Sequence, residues 1–166
     1  MRTKKFILII SCFFLFKSIN AQGNFVKTTA FFAVLHPLVT VSNQETVVNF
    51  RDYYMVGFPF GVNFWKSSKI AFSIEVIPFL KAENGSSKMN NILFHPGLVF
   101  DIGNGFRFSA RAAFETAGRY GLTPVIAKTL WKGKNNSYYI AFGIPARFGN
   151  DKPGSLGTAL QFGTSF

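Results

Sequence analysis

The sequence has little of three features: cysteine, long hydrophobic runs and charge. Cys12 is the single cysteine among 166 residues. A chain that loses its first 20 or so residues therefore has no disulfides, cysteine nucleophile or thiolate metal site. No stretch reaches the roughly 20 consecutive apolar residues that a membrane-spanning helix needs. Charged residues make up only 15% of the chain, which is few for a soluble domain of this size.

The N-terminus has the three-part pattern of a secretory signal. Basic side chains cluster in the first five residues, residues 6–16 are mostly apolar, and Ala21 supplies a small residue at the expected cut. We therefore predict a signal peptide over residues 1–21 and one domain over residues 22–166. An uncleaved anchor is disfavoured because the apolar core is too short to span a bilayer. Lipidation at Cys12 is also disfavoured, because apolar residues continue past it.

The basic excess of the chain is spread along its length. The sequence has 18 Lys and Arg against 7 Asp and Glu, a formal net charge of +11. These residues form no basic run, and an exported chain has little access to nucleic acid, so we expect no nucleic-acid partner. Anionic lipid headgroups or lipopolysaccharide phosphates are the better match.

Alternation of apolar and polar residues with a period of two indicates β-strands after residue 22. We predict eight strands, at about Lys27–Thr40, Tyr53–Trp65, Ile70–Lys81, Ile92–Ile102, Phe106–Thr116, Leu122–Trp131, Tyr138–Phe148 and Leu156–Phe166.

Short turns alternate with mostly longer connections between these strands. Residues 67–69 and 103–105 are short, whereas residues 42–52 and 82–91 are long. This pattern is typical of an all-β, antiparallel, up-and-down transmembrane barrel with both termini on the short-turn side. Trp65, Trp131 and Tyr138 lie near those turns, as an interfacial aromatic girdle requires.

Proline opposes this interpretation in part. Each proline removes one ladder donor, and a closed sheet has no edge at which the loss is harmless. We expect bulges or strand ends at the six in-strand prolines, with a flared rim on the loop side: Pro37, Pro59, Pro78, Pro96, Pro124 and Pro145.

The fifth predicted strand has two unlike faces. Its even positions carry Phe106, Phe108 and Phe114, and its odd positions carry mostly polar or small residues. The interior of an eight-stranded barrel is just wide enough for modest side chains. We therefore expect the Phe face to point outward to lipid and the polar face to point inward.

Hairpin register keeps these faces together. A turn centred on Asn104 pairs Phe100 with Phe108 and sets Asp101 opposite Arg107.

The same reasoning places further charges inside the barrel. A turn centred on residues 134–135 puts Lys128 on the face of Gly143 and Arg147. We predict a polar network that fills the lumen, with the alternative of a binding or conduction path. Its members are Glu75, Asp101, Arg107, Arg111, Glu115, Lys128 and Arg147.

No catalytic constellation stands out. His36 and His95 are each followed by proline, and neither has a serine placed to act as a nucleophile with a third partner. Two histidines are too few for a convincing zinc site. We expect no enzyme activity and no cofactor or metal.

The last predicted strand places Leu156, Thr158, Leu160, Phe162, Thr164 and Phe166 on one face, and the sequence ends on an aromatic residue. This resembles the terminal strand of Gram-negative outer-membrane barrels. The whole region after the signal resembles the small OmpA/OmpX-type outer-membrane barrel proteins. The resemblance implies a monomer in the outer membrane, contact with lipid and lipopolysaccharide, and an assembly signal at Phe162 and Phe166 for the barrel-assembly machinery.

The leading functional hypothesis is a structural or interaction barrel with a side-chain-filled lumen. The alternatives are a narrow pore or transporter for small solutes, a membrane-embedded lipid-modifying enzyme, and a soluble lipid-binding barrel.

Overall fold

The computed structural model describes residues 27–43, 45–51, 53–149 and 152–166. The predicted signal peptide and its cleavage site lie outside the described residues. Among the described residues, no helix is long and apolar enough to cross a membrane.

The described part of the chain is all-β, and its strands pair antiparallel throughout. Twelve strands are assigned: β1 Lys27–Ser42, β2 Glu45–Val48, β3 Tyr54–Gly57, β4 Phe60–Trp65, β5 Ile70–Glu83, β6 Ser86–Phe94, β7 Gly97–Gly103, β8 Phe106–Glu115, β9 Tyr120–Lys132, β10 Ser137–Gly143, β11 Ala146–Phe148 and β12 Ser155–Ser165.

These strands form one sheet that closes on itself. β1 pairs with β3 and β4, and each following strand or strand pair bonds to the next until β12 returns to β1. The closing ladder runs from Phe31 opposite Ser165 to Ser42 opposite Ser155. β2 is a short addition that pairs with the loop-side end of β1. Closure is the arrangement that removes exposed sheet edges.

The structure has twelve strands where the sequence predicted eight. Three predicted strands are each divided at a proline: Pro59 separates β3 from β4, Pro96 separates β6 from β7, and Pro145 separates β10 from β11. β2 lies in a connection that was predicted to be a loop. The physical reason for the divisions is that proline cannot donate to the ladder.

Proline positions are accommodated without losing the neighbouring strand. Two further prolines, Pro37 and Pro78, lie beside shifts in strand register: one falls between Pro37 and Val39 and the other just after Pro78. The proline carbonyls still accept: Ala33 N donates to Pro59 O at 2.8 Å, for example. The expected bulges and strand ends are therefore present at five of the six positions, and only Pro124 keeps an unbroken register.

The two faces of the ring differ sharply. On β8, Phe106 and Phe114 are 40% and 52% exposed on the outside, whereas Arg111 and Ala113 are buried inside. The Phe face points outward, as predicted, and its contact with lipid stays a prediction. Large apolar residues continue around the outer face, among them Phe32, Phe60, Phe72, Phe94, Leu98, Leu122, Ile126, Phe142 and Phe162.

Two interior glycines make room for the few rings that do point inward. A Cβ added to Gly61 would lie 2.6 Å from Cζ of Phe31. One added to Gly163 would lie 2.5 Å from Cζ of Tyr139. Real Cβ atoms do not approach so closely, so each ring occupies space that a larger residue would fill with its own side chain.

Candidate functional site

The centre of the interior holds a buried group of one acid, one histidine and one arginine. Glu75, His95 and Arg111 come from the middle of β5, the break between β6 and β7, and β8. Nδ1 of His95 lies 2.7 Å from Oε2 of Glu75. Nη1 of Arg111 lies 3.6 Å from the same oxygen and donates to Oγ of Ser73 at 2.9 Å. Glu75 and His95 are each only 3% exposed.

Local backbone geometry sets this arrangement. Although Pro96 interrupts the strand, His95 N still donates to Glu75 O at 2.8 Å and Ala112 N donates to Pro96 O at 2.8 Å. His95 thus keeps the register of β6 against β5, and its side chain points to the interior alongside Glu75.

Arg111 spans the interior. β8 and β1 are on opposite sides of the ring, yet the guanidinium carbon of Arg111 lies 5.7 Å from the centroid of the Phe31 ring on β1. Its Nη1 also donates to His95 O at 3.4 Å. One arginine therefore ties together strands that are far apart in the sheet.

A second buried pair lies nearer the loop side. Nε of Arg147 donates to Oε1 of Glu115 at 2.9 Å, with side-chain exposures of 9% and 11%. Nη1 of Arg147 donates to Oγ1 of Thr123 at 2.9 Å. The other oxygen of Glu115 accepts from Nδ2 of Asn91 at 3.0 Å. Such additional hydrogen bonds are what a buried ion pair needs to offset desolvation.

A third pair lies at the turn side and is looser. Nε of Arg107 is 3.6 Å from Oδ2 of Asp101, and both side chains are 32% exposed. The pair stands opposite across the hairpin, in the register predicted from Asn104. The guanidinium of Arg107 also lies over the Trp65 ring at 5.2 Å.

These side chains leave space. The ring encloses a cavity of about 130 Å³ whose walls include Glu75, His95, Arg107, Arg111 and Arg147. A site of this size and polarity can hold several water molecules. The sequence led us to predict a lumen filled by side chains. The structure differs, because side chains leave this cavity open inside the ring.

The predicted network is thus three separate pairs rather than one set. Glu75 meets Arg111, Glu115 meets Arg147, and Asp101 meets Arg107.

The prediction that Lys128 belongs to the interior network was wrong, because this residue lies on the outer face. It stands opposite Ile140 and Phe106, and its Nζ lies 4.0 Å from the Phe106 ring centroid. The predicted turn register holds for Tyr138 opposite Trp131, but a bulge follows, and Tyr139 pairs with Thr129. A one-residue slip moves every later side chain to the other face.

The predicted position of Trp65 was also wrong. It was predicted to belong to the interfacial girdle with Trp131 and Tyr138, but it is 6% exposed and points inward, where Nε1 donates to Oγ1 of Thr29 at 3.1 Å. Trp131 and Tyr138 do form an outer pair, with ring centroids 5.5 Å apart.

His95 and Ser73 were missed as members of the central group. The signal was available, because His95 is an even number of residues from Asp101 and so shares its face. The proline after His95 obscured it, since it suggested a strand end.

The partners of Ser73 and of the two histidines bear on whether the central group resembles a hydrolytic or metal-dependent enzyme site. Oγ of Ser73 is hydrogen-bonded to Arg111, not to the His95 ring. His36 lies on the outer face, with Nδ1 3.3 Å from Oη of Tyr54. No group of three or more His, Cys, Asp or Glu that could hold a metal is found among the described residues.

Phe162 and Phe166, the predicted assembly signal, both lie outside the interior. They are 48% and 61% exposed. Backbone hydrogen bonds link Phe166 to Ala30 in both directions, at 2.9 and 3.0 Å. The role in assembly stays a prediction.

Comparison with known proteins gives little. No family model matches the chain, and no curated protein matches it. A solved structure described as "De novo design of transmembrane beta-barrels" is similar at 10% identity and a TM-score of 0.48, covering 84% of this chain and 93% of that one. A likeness this weak carries no argument about function.

Proposed function

We propose that the chain is an eight-stranded β-barrel of the bacterial outer membrane, with a structural or interaction role. The observation that carries the proposal is the inversion of the two faces. The outer faces of most strands carry exposed large apolar side chains, many of them Phe, whereas buried charge lies within. A water-soluble protein rarely exposes contiguous apolar patches beyond a few hundred Å², but a membrane barrel needs such a band.

The number eight counts two strands divided by a proline as one barrel strand. Three such pairs are present: β3 with β4, β6 with β7, and β10 with β11. The short strand β2 lies beside the ring and is not counted. A ring of this size has an interior for side chains and water rather than a wide channel.

The interior pairs support a structural role. Arg111 and Arg147 each reach strands other than their immediate neighbours and satisfy buried carboxylates. Side chains that cross the lumen brace its walls and obstruct hydrated ions. We further propose a monomer, because closure leaves the ring no strand edge that a second copy must cover.

Lipid contacts follow from the outer surface. Trp131 and Tyr138 pair at the turn side, and Lys128 reaches back over Phe106 toward that end. Aromatic rings and lysine ammonium groups of this kind sit at the headgroup level of membranes. We propose phospholipid and lipopolysaccharide as the surrounding partners, and Phe162 and Phe166 as part of the signal for the assembly machinery.

A narrow pore is the second candidate, and the interior cavity is the observation that favours it. Walls of that cavity include Thr129 and Ser165 on the turn side and Thr40 and Thr158 on the loop side. A path for small solutes would need this space to stay open past the central group.

Fractionation tests the leading proposal. The expressed full-length chain should lose its signal, start near Gln22 by mass spectrometry, remain with outer membranes after carbonate washing and require detergent. A soluble periplasmic product would contradict it. Planar-bilayer recordings separate the two candidates: no ion steps support the structural barrel, and stable steps support the pore.

A further inference from the structure

One ring nitrogen inside the barrel is left without a partner. Nδ1 of His95 is engaged by Glu75, but Nε2 is buried and has no hydrogen-bond partner among the described residues. The histidine is 3% exposed and forms part of the cavity wall. Buried polar groups are normally satisfied, so a cavity water is the natural partner of Nε2.

Protonation of the ring follows from its contact with the carboxylate. A proton on Nδ1 is directed at Oε2 of Glu75, and Nε2 of the neutral ring is then an acceptor. Nε2 can take a second proton from water without any side-chain movement. The resulting imidazolium stays next to the carboxylate of Glu75.

His95 lies part-way along the cavity. The turn-side wall includes Thr129 and Ser165, and the loop-side wall includes Thr40, each of which has a hydroxyl. Water held between these hydroxyls can approach Nε2 from either side.

The charges around the ring do not favour one sign. Glu75, Arg111 and Arg147 are the charged groups that act on His95 electrostatically. Arg111 faces Glu75 at 3.6 Å and Arg147 faces Glu115 at 2.9 Å. Since each guanidinium has its own carboxylate, the lumen has no uncompensated positive barrier against protons.

We propose that the lumen relays protons across the membrane while excluding salt ions, and that His95 is the relay residue. In the forward step a hydronium gives its proton to Nε2, so an O–H bond breaks and an N–H bond forms. In the next step Nε2–H passes the proton to a water on the other side, and the neutral ring is restored. In this proposal the salt ions are excluded by Arg111, which crosses the lumen toward the Phe31 ring. The inference rests on the proposed membrane-spanning barrel.

The experiment uses purified full-length mature protein in vesicles of phosphatidylethanolamine and phosphatidylglycerol, with a pH-sensitive dye inside and valinomycin with potassium to clamp the potential. Wild type, His95→Gln and His36→Gln are compared after an acid step. His36 is the matched control, because it is the other histidine and lies on the outer face. Flotation of the vesicles and protease protection report insertion separately.

The wild type and His36→Gln should acidify the vesicles faster than protein-free lipid does. His95→Gln should lower the protein-dependent rate by about tenfold or more, because a glutamine amide takes up no proton near neutral pH. In separate vesicles without valinomycin, chloride and potassium fluxes should stay at the level of protein-free lipid in all three.

Two results would overturn the inference while leaving the barrel intact: inserted wild type that moves no protons, or His95→Gln that moves them at the wild-type rate. Salt flux accompanying proton flux would also overturn it. Failure to insert at all would instead remove the proposed function. If His95→Gln does not fold, ¹⁵N spectra of the wild type, assigned with His36→Gln, decide. Nε2 of His95 must exchange protons with bulk water and respond to pH; an Nε2 that stays unprotonated and insensitive to pH between about pH 5 and pH 9 contradicts a relay.

Discussion

Removing Arg147 should destabilise the protein more than removing Arg147 together with Glu115. The single change Arg147→Met deletes the 2.9 Å ion pair and the bond to Thr123, and it leaves a carboxylate that is 11% exposed. Within the described part of the chain, the hydrogen bond that then remains to the Glu115 carboxylate comes from Nδ2 of Asn91, at 3.0 Å. Breaking one partner of a buried pair typically costs about 3–5 kcal/mol, since the remaining charge is uncompensated.

The double variant Arg147→Met/Glu115→Leu removes both charges. Replacing a buried pair by apolar residues of similar volume is often close to neutral. We expect the double variant to be more stable than the single one by at least about 2 kcal/mol, an interaction energy typical of contacting residues.

Reversible urea unfolding in detergent micelles, followed by tryptophan fluorescence, measures these differences. Asp101→Asn serves as the control, because its pair with Arg107 is 3.6 Å long and 32% exposed on each side. Such a pair contributes about 0–1 kcal/mol. A single Arg147→Met variant that is as stable as Asp101→Asn, or a double variant less stable than that single, would show that Glu115 is not left as a costly unpaired charge.

Two further variants test packing and assembly. Gly163→Ala should destabilise by about 1–3 kcal/mol, because its Cβ would lie 2.5 Å from Cζ of Tyr139, whereas Gly143→Ala meets its nearest atom at 3.5 Å and should be nearly neutral in the same unfolding assay. Phe166→Ala should sharply reduce the amount of protein in the membranes of cells, yet the purified variant should refold in micelles with a near-normal melting point, because a ring that is 61% exposed contributes little packing. Equal membrane levels for Phe166→Ala and wild type would contradict the assembly role.

Much of the fold could be predicted from period-two alternation, since it depends on local chemistry. The faces of β8 and the register of the hairpin around Asn104 follow from matching like residues across a short turn. Proline positions also indicated where ladders would break.

Long-range detail was harder to predict. Lys128 was misplaced because the bulge after Tyr138 leaves no mark in the hydrophobic pattern, and one extra residue reverses the faces. The partners of Arg111 and Arg147 depend on which residues face each other across the lumen. Those residues are determined by the register of all the strands around the closed sheet, which no local pattern reveals. His95 was overlooked because Pro96 suggested a strand end, although backbone hydrogen bonds hold the register there.

In the proposed barrel the aromatic face of the ring meets lipid, and the two tryptophans test this contact directly. Trp131 is 53% exposed on the outer face, whereas Trp65 is 6% exposed and points inward. Each can be observed alone, in Trp65→Phe and Trp131→Phe. In vesicles containing brominated phospholipids, we expect strong quenching of Trp131 fluorescence and little quenching of Trp65 fluorescence. Equal, weak quenching of both, with the protein left in the aqueous phase, would contradict it.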